Sequence, residues 1–579
     1  MKKKVAAQLV DILADAGVKR VYAVTGDSLN EFNYAIKKSG RMKWIHVRHE
    51  EVGAYAAAAE AQLNGIACCA GSSGPGHVHL INGLYDAQRS GASVIAIAST
   101  CPSTEFGTSY FQETNTVKLF NDCSHYNEIA NTPAQLPRMA QAAIQHAIQR
   151  KGVAVLGLPG DLAAMPSVEG STSTDVFYTE PIIRPSEKEI ERLAELINKA
   201  PKVCIFCGLG AVNAHDEVVR LADTLKAPVG FSLRAKMGIQ YNNPFEVGMT
   251  GLLGLPSALH SVYESDLVLL LGTDFPYIPF FQTGKQIIQI DARPESLGRR
   301  AKLTMGLHGH VVDTLQALLP LIRKRTDRSF LAAQLHVYDK AKEHLQTYVR
   351  DKGKTNLIHP EAVISTIDHL AAENAIFTAD TGMSCVWAAR YLTATGKRDL
   401  LGSFNYGSMA SAMPHAIGAA LACPDRQVVA LCGDGGLSML LGDIATIRQY
   451  NLPIKLIVFN NRSLGLVKLE MEIQGLPDNE TDMVNPDFAA IAEATGIKGI
   501  SVHEPGEIDE KLRQAFEFQG PVLIDIYTDP NALMIPPKIE MNMVKGMVMS
   551  MTRLMLGGNF QEVLDTVKAN YKHVNELLD

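Results

Sequence analysis

Tryptophan is nearly missing from this chain: there are two in 579 residues, and aromatic residues reach only 7% in all. No basic stripe interleaved with aromatics occurs, the formal net charge is -7 and the pI lies near 6.2, so nothing here suits a nucleic-acid partner. Uninterrupted apolar runs stay short of the ~18 residues that a membrane-spanning helix needs. Charged residues make up 20% and hydrophobic residues 46%, which excludes a disordered or fibrous chain. The nine cysteines are odd in number and scattered, and so do not form a disulfide framework. Cys204 and Cys207 make a CxxC, but it lies inside the apolar run VCIFCG with no second pair to complete a zinc site, and reads as core thiols. His77 and His79 form an HxH without a carboxylate at metal-ligand spacing. The opening MKKKVAAQLVDILADAGVKR has Asp11 and Asp15 inside its apolar stretch and no small-residue cleavage site, so a first amphipathic helix and a cytoplasmic location are expected.

What is present is a regular alternation of short β-branched runs with helical patterns, which predicts an α/β protein built on parallel sheets. At about 100–200 residues per domain, the length predicts three or four units. The run SVIAIAS after LINGLYDAQRSGA and the run KLIVFNN after DIATIRQYNLPI repeat one phrase, helix, turn, buried strand, and suggest two related domains. Between them lie the strand signals KVCIFCGLG, DLVLLLGTDFP and KQIIQIDARP. Polar, proline-bearing joins divide the chain into 1–182, 183–335 and 336–530, leaving a tail of 531–579.

The stretch RQVVALCGDGG reads as a buried strand ending in a glycine turn, followed by a helix over SMLLGDIATIRQY and the strand PIKLIVFNN. Such a βαβ unit places Asp434 and Asn461 at the carboxyl ends of neighbouring parallel strands, where open α/β sheets bind ligands. A carboxylate and an amide oxygen suit Mg2+, which keeps open positions for phosphate oxygens and water. Gly433, Gly435 and Gly436 allow close backbone approach, and the following helix offers free N–H groups to an anion. A bound diphosphate is the expectation.

The GDG and NN pairs, with residues 436–459 between them, resemble the thiamine diphosphate motif of decarboxylases, acetolactate synthases and pyruvate oxidases. The run RHEEVGAYAAAAEAQLNG, the loop CAGSSGPGHVHLINGLYDA and FQET at Phe111–Thr114 extend the resemblance over the whole chain. It implies a metal set of Asp434, Asn461 and the backbone carbonyl of Ser463, with Gly435, Gly436, Arg462, Leu464, Gly465 and Val467 around the diphosphate. It implies that Glu50 bonds the pyrimidine nitrogen and favours the imino tautomer, so that the cofactor removes its own C2 proton. Met409, in the loop Gly407-Ser408-Met409, would prop the cofactor in its bent form. His79 and Gln112 would stand near the substrate. Glu50 would reach a cofactor held by another subunit, giving a dimer at least and a tetramer by family habit. The three main units become a pyrimidine-binding, a middle and a diphosphate-binding domain.

In the middle unit, Thr250-Gly251-Leu252-Leu253, Thr273-Asp274-Phe275-Pro276-Tyr277 and Asp291 look like FAD-binding loops, with Asp291 placed for ribose hydroxyls. The GxG of Gly208 and Gly210 lacks a third glycine, since Asn213 stands there. Within the family, VTGDSLN, YFQET, CSHY, WAARYL and IPPKIEMNMVKG are similar to the bacterial quinone-dependent pyruvate dehydrogenases, also called pyruvate oxidases. The implied reaction takes pyruvate to acetate and CO2 through a hydroxyethyl adduct, with electrons passing from FAD to a membrane quinone. Leu466 stands where those relatives carry an aromatic residue. A phosphate-dependent pyruvate oxidase, an acetolactate synthase and a non-enzymatic scaffold remain as alternatives. In the tail, Val544, Met547, Val548, Met551, Leu554 and Met555 recur at helical spacing, with Lys545, Ser550, Thr552 and Arg553 off that stripe. The resemblance implies a peripheral anchor on the inner face of the cell membrane.

Overall fold

Eighteen strands assemble into three parallel sheets of six. They are seen in a computed structural model that describes residues 3–168, 176–273, 275, 278–282, 284–350, 356–532, 534, 549–553 and 560–570. The first sheet holds β1 (Arg20–Ala23), β2 (Lys43–His46), β3 (Ala67–Gly71), β4 (Val94–Thr100), β5 (Tyr126–Ile129) and β6 (Val153–Pro159), ordered β2-β1-β3-β4-β6-β5. The second holds β7 (Val203–Cys207), β8 (Val229–Phe231), β9 (Glu246–Met249), β10 (Leu267–Leu271), β11 (Gln286–Asp291) and β12 (Met305–His308), ordered β12-β11-β10-β7-β8-β9. The third holds β13 (Ile376–Ala379), β14 (Asp399–Gly402), β15 (Val428–Gly433), β16 (Ile454–Asn460), β17 (Lys498–Val502) and β18 (Val522–Tyr527), ordered β14-β13-β15-β16-β18-β17. Strands β4, β6 and β16 are buried along their whole length, which explains their unbroken apolar runs: helices cover both faces of a parallel sheet.

The first and third sheets share one strand order, which gives the repeated helix-turn-strand phrase a structural basis. The middle sheet, read from its other edge, has the order 3-2-1-4-5-6 of dinucleotide-binding folds, with its direction of winding reversing between β7 and β10. The three doubly wound units expected from the sequence are therefore present. Cys204 and Cys207 lie buried in β7, and all nine cysteines are free thiols.

Small side chains bring the first and third units together. Helix Glu50–Asn64 carries the run Ala56-Ala57-Ala58-Ala59, all fully buried, and packs on helix Ala412–Ala422 so closely that a β-carbon at Gly418 would stand 2.1 Å from the Ala56 carbonyl oxygen. Replacing one of these alanines by leucine would force the helices apart, at a cost of about 1–3 kcal/mol. Polar contacts fix the register of the joint. The Tyr55 hydroxyl donates to Ser408 Oγ at 2.7 Å, the Arg48 amide to Asp443 Oδ1 at 2.9 Å, and His415 Nε2 pairs with Asp86 Oδ2 at 3.1 Å with both residues fully buried. The middle unit is held by Arg234, which donates to the Ser90 carbonyl, and by Arg390 of the third unit, which donates to the carbonyls of Leu253 and Gly254.

One sequence expectation changes. The helix after the glycine turn does not run through SMLLGDIATIRQY. It begins at Asp434 itself, ends at Met439, and resumes as Ile444–Gln449 after a tight turn over Leu441–Asp443. The turn is set by Asp443, whose carboxylate is taken by the Arg48 amide and the Thr446 hydroxyl. In the tail, Met551 is the one member of the expected apolar stripe among the described residues and is half-buried, while Thr552, off the stripe, is exposed. Ser550, 1% exposed, donates to the Leu476 carbonyl and Arg553 to the Gly475 carbonyl, while Met549 is 49% exposed. Carbonyls at the end of helix Gly465–Ile473 are hydrogen-bond acceptors that methionine cannot satisfy, so the polar residues face them. Val544, Met547, Val548, Leu554 and Met555 lie outside the described residues. Helix Phe560–Ala569 then docks on the third unit through buried Val563 and Ala569, with Thr566 and Asn570 bonded to Asn531. Among the described residues no helix is long and apolar enough to cross a membrane.

Candidate functional site

The third sheet reverses its winding between β13 and β15, and the loops leaving these two strands carry Asp380 and Asp434. Asp434 is 3% exposed. Its Oδ1 accepts from the Gly435 amide at 2.8 Å, and its Oδ2 accepts from the Arg462 amide at 2.6 Å and from Asn485 Nδ2 at 2.8 Å. Burial pushes this carboxyl up to about 6, against the pull of those hydrogen bonds. Asn461 lies just past β16, where its Oδ1 accepts from the Ser463 amide at 3.1 Å. Arg462 holds the turn between them with φ +54, a left-handed conformation uncommon for a side-chain-bearing residue, braced by its carbonyl accepting from the Met483 amide. The Leu464 amide donates to the Thr481 carbonyl, and Gly465 opens the next helix.

Met409 comes over this turn: its terminal methyl would stand 3.2 Å from a β-carbon at Gly435, with Leu464 on the other side at 3.0 Å. Gly407, with φ +83, makes the bend that brings the loop here, and Ser408 ties it to Tyr55. Leu466 is half-buried and Val467 is 45% exposed, both at the start of the helix beyond the turn. The arrangement thus gathers Asp434, Gly435, Gly436, Asn461, Arg462, Ser463, Leu464, Gly465 and Met409 at one sheet edge.

Glu50, His79 and Gln112 form a second group. Glu50 is 7% exposed at the first turn of its helix, and its Oε2 contacts His79 Nδ1 at 3.0 Å. Gly76 lies against the other oxygen, where a β-carbon would be 3.3 Å from Oε1. Gln112, with φ +62, rests on Gly74, and its carbonyl accepts from Ser73 Oγ at 2.9 Å. The HxH splits in function: His77 is fully buried between the Ser99 carbonyl and the Thr114 hydroxyl, tying the two loops together, while His79 is exposed beside Glu50. His49, Glu50 and His79 bring donor atoms within 4.8 Å of one another. A metal does not suit them, because His49 Nδ1 already caps the helix by accepting from the Glu51 amide, and the two imidazoles are stacked at 4.5 Å with nearly parallel planes. Among the described residues, no hydrogen bond joins this group to the Asp434 group.

The middle unit holds the remaining expected residues around the switch point between β7 and β10. The loops leaving the two strands touch: the Gly210 amide donates to the Gly272 carbonyl, and a β-carbon at Gly208 would be 2.4 Å from that oxygen. The two glycines of the incomplete GxGxxG therefore serve loop packing. Thr250 is 5% exposed with its hydroxyl lacking a partner, Gly251 turns at φ +111, Leu252 is 49% exposed and Leu253 half-buried. Thr273 is buried and its carbonyl accepts from Gln289. Phe275 turns inward and packs edge-on against Phe206 at 5.1 Å, so its ring belongs to the core. Asp291, at the end of β11, is 4% exposed and accepts from the Arg293 amide at 2.9 Å. Asp274, Pro276 and Tyr277 lie outside the described residues.

Three comparisons with family models match the three units in order: thiamine pyrophosphate enzyme, N-terminal TPP binding domain over residues 3–119, central domain over 190–318, and C-terminal TPP binding domain over 380–526. The chain is 36% identical to YdaP of Bacillus subtilis (strain 168), a protein named as thiamine pyrophosphate-containing, across 94% of this chain and 95% of that one. The chain belongs to the thiamine pyrophosphate enzymes. This enzyme is also 32% identical to a pyruvate oxidase of Lactiplantibacillus plantarum, over 90% of this chain and 87% of that one. To an acetolactate synthase large subunit of Parasynechococcus marenigrum it is 29% identical, over the same shares.

The residues of this thiamine pyrophosphate enzyme fit the diphosphate and its cation. An ionised carboxylate has about four acceptor directions, and Asp434 uses three, leaving one on Oδ1 for a metal. Ser463 is 4% exposed and its hydroxyl has no partner, a polar atom waiting for a ligand. Two residues escaped the sequence reading. Asp380, fully enclosed, accepts from the Ala412 and Gly433 amides and braces the glycine turn from below. Its position at the end of the strand IFTA was the available signal. Asn485 had none beyond an Asn-Pro dipeptide far along the chain.

Proposed function

We propose that this thiamine pyrophosphate enzyme converts pyruvate, water and a membrane quinone to acetate, CO2 and quinol, with FAD carrying the two electrons. The observation that carries the redox half is the middle sheet: a dinucleotide-type strand order with the unpartnered, buried hydroxyl of Thr250 and the buried carboxylate of Asp291 at its binding edge. The likeness to a pyruvate oxidase across both chains supports pyruvate as the substrate.

Bound thiamine diphosphate supplies a carbanion that adds to the carbonyl of a 2-oxo acid and takes up the electrons left by departing CO2. Asp434, Asn461 and the Ser463 carbonyl would hold Mg2+, and Gly435 and Gly436 leave room for phosphate oxygens at the backbone. Glu50 would hold a proton at the pyrimidine nitrogen, with His79 fixing the orientation of its carboxyl. Gln112 and His79 would orient the substrate carboxylate. Leu466 and Met409 present apolar surface that keeps water from the reacting carbon. That no described hydrogen bond joins the Glu50 and Asp434 groups is in keeping with a site completed by a second copy of the chain. The tail would leave the enzyme surface for lipid, where the quinone dissolves.

Anaerobic turnover of pyruvate with a quinone analogue tests the reading, with bound flavin followed by absorbance. Acetate formed with stoichiometric quinone reduction and no need of phosphate is the expected outcome. Acetolactate without reduction would establish the synthase reading that the acetolactate synthase relatives favour. Acetyl phosphate formed only with phosphate present would establish the phosphate-dependent oxidase.

A further inference from the structure

The first asparagine of the NN pair has no place in the metal set, yet it is 1% exposed and fully engaged. Asn460 Nδ2 donates to Asp525 Oδ1 at 2.9 Å, and Asn460 Oδ1 accepts from Asn485 Nδ2 at 2.9 Å. Asn485 Nδ2 donates its second hydrogen to Asp434 Oδ2 at 2.8 Å. Four side chains from β16, β18, the loop before helix Phe488–Ala494 and the turn after β15 thus form one chain of hydrogen bonds across the sheet edge.

We propose that Asn485 is a positioning residue for the metal-binding carboxylate, oriented through Asn460 by Asp525; this rests on the reading of Asp434 as a cation ligand. The polarity of the chain has only one solution. Asp525, fully buried, can only accept when ionised, so Asn460 must turn its nitrogen toward it and its oxygen toward Asn485. Asn485 then faces two acceptors, Asn460 Oδ1 and Asp434 Oδ2, and must present its nitrogen to both. A flip of either amide would set oxygen against oxygen in a buried place.

The consequence lies at Asp434. With Oδ2 filled by Asn485 and the Arg462 amide, and Oδ1 by the Gly435 amide, the remaining acceptor direction is on Oδ1 and its aim is fixed. A single fixed oxygen suits Mg2+, which demands near-octahedral geometry and takes one or two carboxylates. Without Asn485 the carboxylate keeps only its two backbone-amide bonds, its rotation about its last bond is less restrained, and the cation meets a less prepared ligand. Partners of this kind are worth about 10- to 100-fold in metal affinity.

The test is calorimetric titration of thiamine diphosphate into the full-length apoprotein at a series of Mg2+ concentrations, for the wild type, Asn485→Ala and Asp434→Ala. Asn485→Ala should raise the Mg2+ concentration for half-saturation by about 10- to 100-fold, with binding and turnover regained at saturating Mg2+ and the melting temperature of the apoprotein nearly unchanged. Asn485→Ser, with one hydrogen to donate, carries the test if the alanine variant does not fold; a shift in the same direction is expected. An Mg2+ requirement unchanged in the Asn485 variants while Asp434→Ala abolishes it overturns the positioning role alone. An Mg2+ requirement unchanged in Asp434→Ala overturns both the role and the reading of Asp434. Asn460→Ala should shift the requirement in the same direction by a smaller factor, since Asn485 keeps its bond to Asp434; no shift there would remove Asn460 from the relay.

Discussion

Gly436 lies directly against Asp380: a β-carbon at 436 would stand 2.3 Å from Asp380 Oδ2 and 3.2 Å from the Ala410 amide nitrogen. Asp380 has nowhere to go, since its two oxygens accept from Ala412 and Gly433 at 2.8 Å and 3.1 Å. Gly436→Ala should therefore displace the glycine turn rather than the aspartate. At about 1–3 kcal/mol for such overpacking, thiamine diphosphate affinity should fall by roughly 5- to 150-fold. Calorimetry at fixed Mg2+ measures this, and unchanged affinity would contradict the rigidity of the Asp380 brace.

Burial pushes the Asp380 carboxyl up to about 6 from its ordinary 3.8, against the amides that pull it down. The folded chain then keeps a proton that the unfolded chain has released, so between about pH 4 and 6 this group's contribution to stability falls as pH rises. The shift corresponds to roughly 3 kcal/mol across the window. Asp380→Asn removes the titration, so the melting temperature of its apoprotein, relative to wild type, should rise from pH 4 to pH 6. Parallel profiles for the two proteins would show that Asp380 does not titrate there.

Glu50→Gln preserves shape and should fold and, on the proposed reading, retain FAD, since Glu50 lies far in the chain from the middle unit and its described side-chain partner is His79. Its amide cannot hold a proton at the pyrimidine nitrogen, and loss of general acid–base help costs about 10²- to 10⁴-fold in rate. Single-turnover kinetics with pyruvate measures the loss. Turnover near that of the wild type would remove Glu50 from the chemistry.

Truncation at Pro537 removes Ser550, Arg553 and helix Phe560–Ala569, whose described hydrogen bonds go to Leu476, Gly475 and Asn531, and it also removes Thr566, which lines a pocket with Asn461 and Gly465. Pyruvate oxidation with a water-soluble acceptor should persist, while co-flotation with liposomes and stimulation by lipid should vanish. Flotation equal to that of the full chain would show that the tail is not the lipid contact.

Legibility in the sequence followed distance along the chain. The glycine turn and the NN pair were visible because each is a local word at a strand end, and the echo of LINGLYDAQRSGASVIAIAS in DIATIRQYNLPIKLIVFNN suggested two related domains, which prove to share one strand order. Asn485 and Asp525 reach the site from other loops and strands, and no pattern near them marks it. His77 and His79, two residues apart, gave one motif but two environments, because residues i and i+2 of a helix point to nearly opposite sides.

The pair of Asp86 and His415 bears on how the molecule comes apart. It sits fully buried between helices Ile81–Ser90 and Ala412–Ala422, and whichever partner carries the proton, parting them strands a polar group in an apolar wall. Breaking a buried pair of this kind costs about 3–5 kcal/mol, and the alanine seam beside it opens at the same moment. The two units that each carry half of a cofactor site therefore have no inexpensive way to loosen singly. Heat or a protease meets them as one cooperative body, and a chain that has lost one half of the site has lost the other as well.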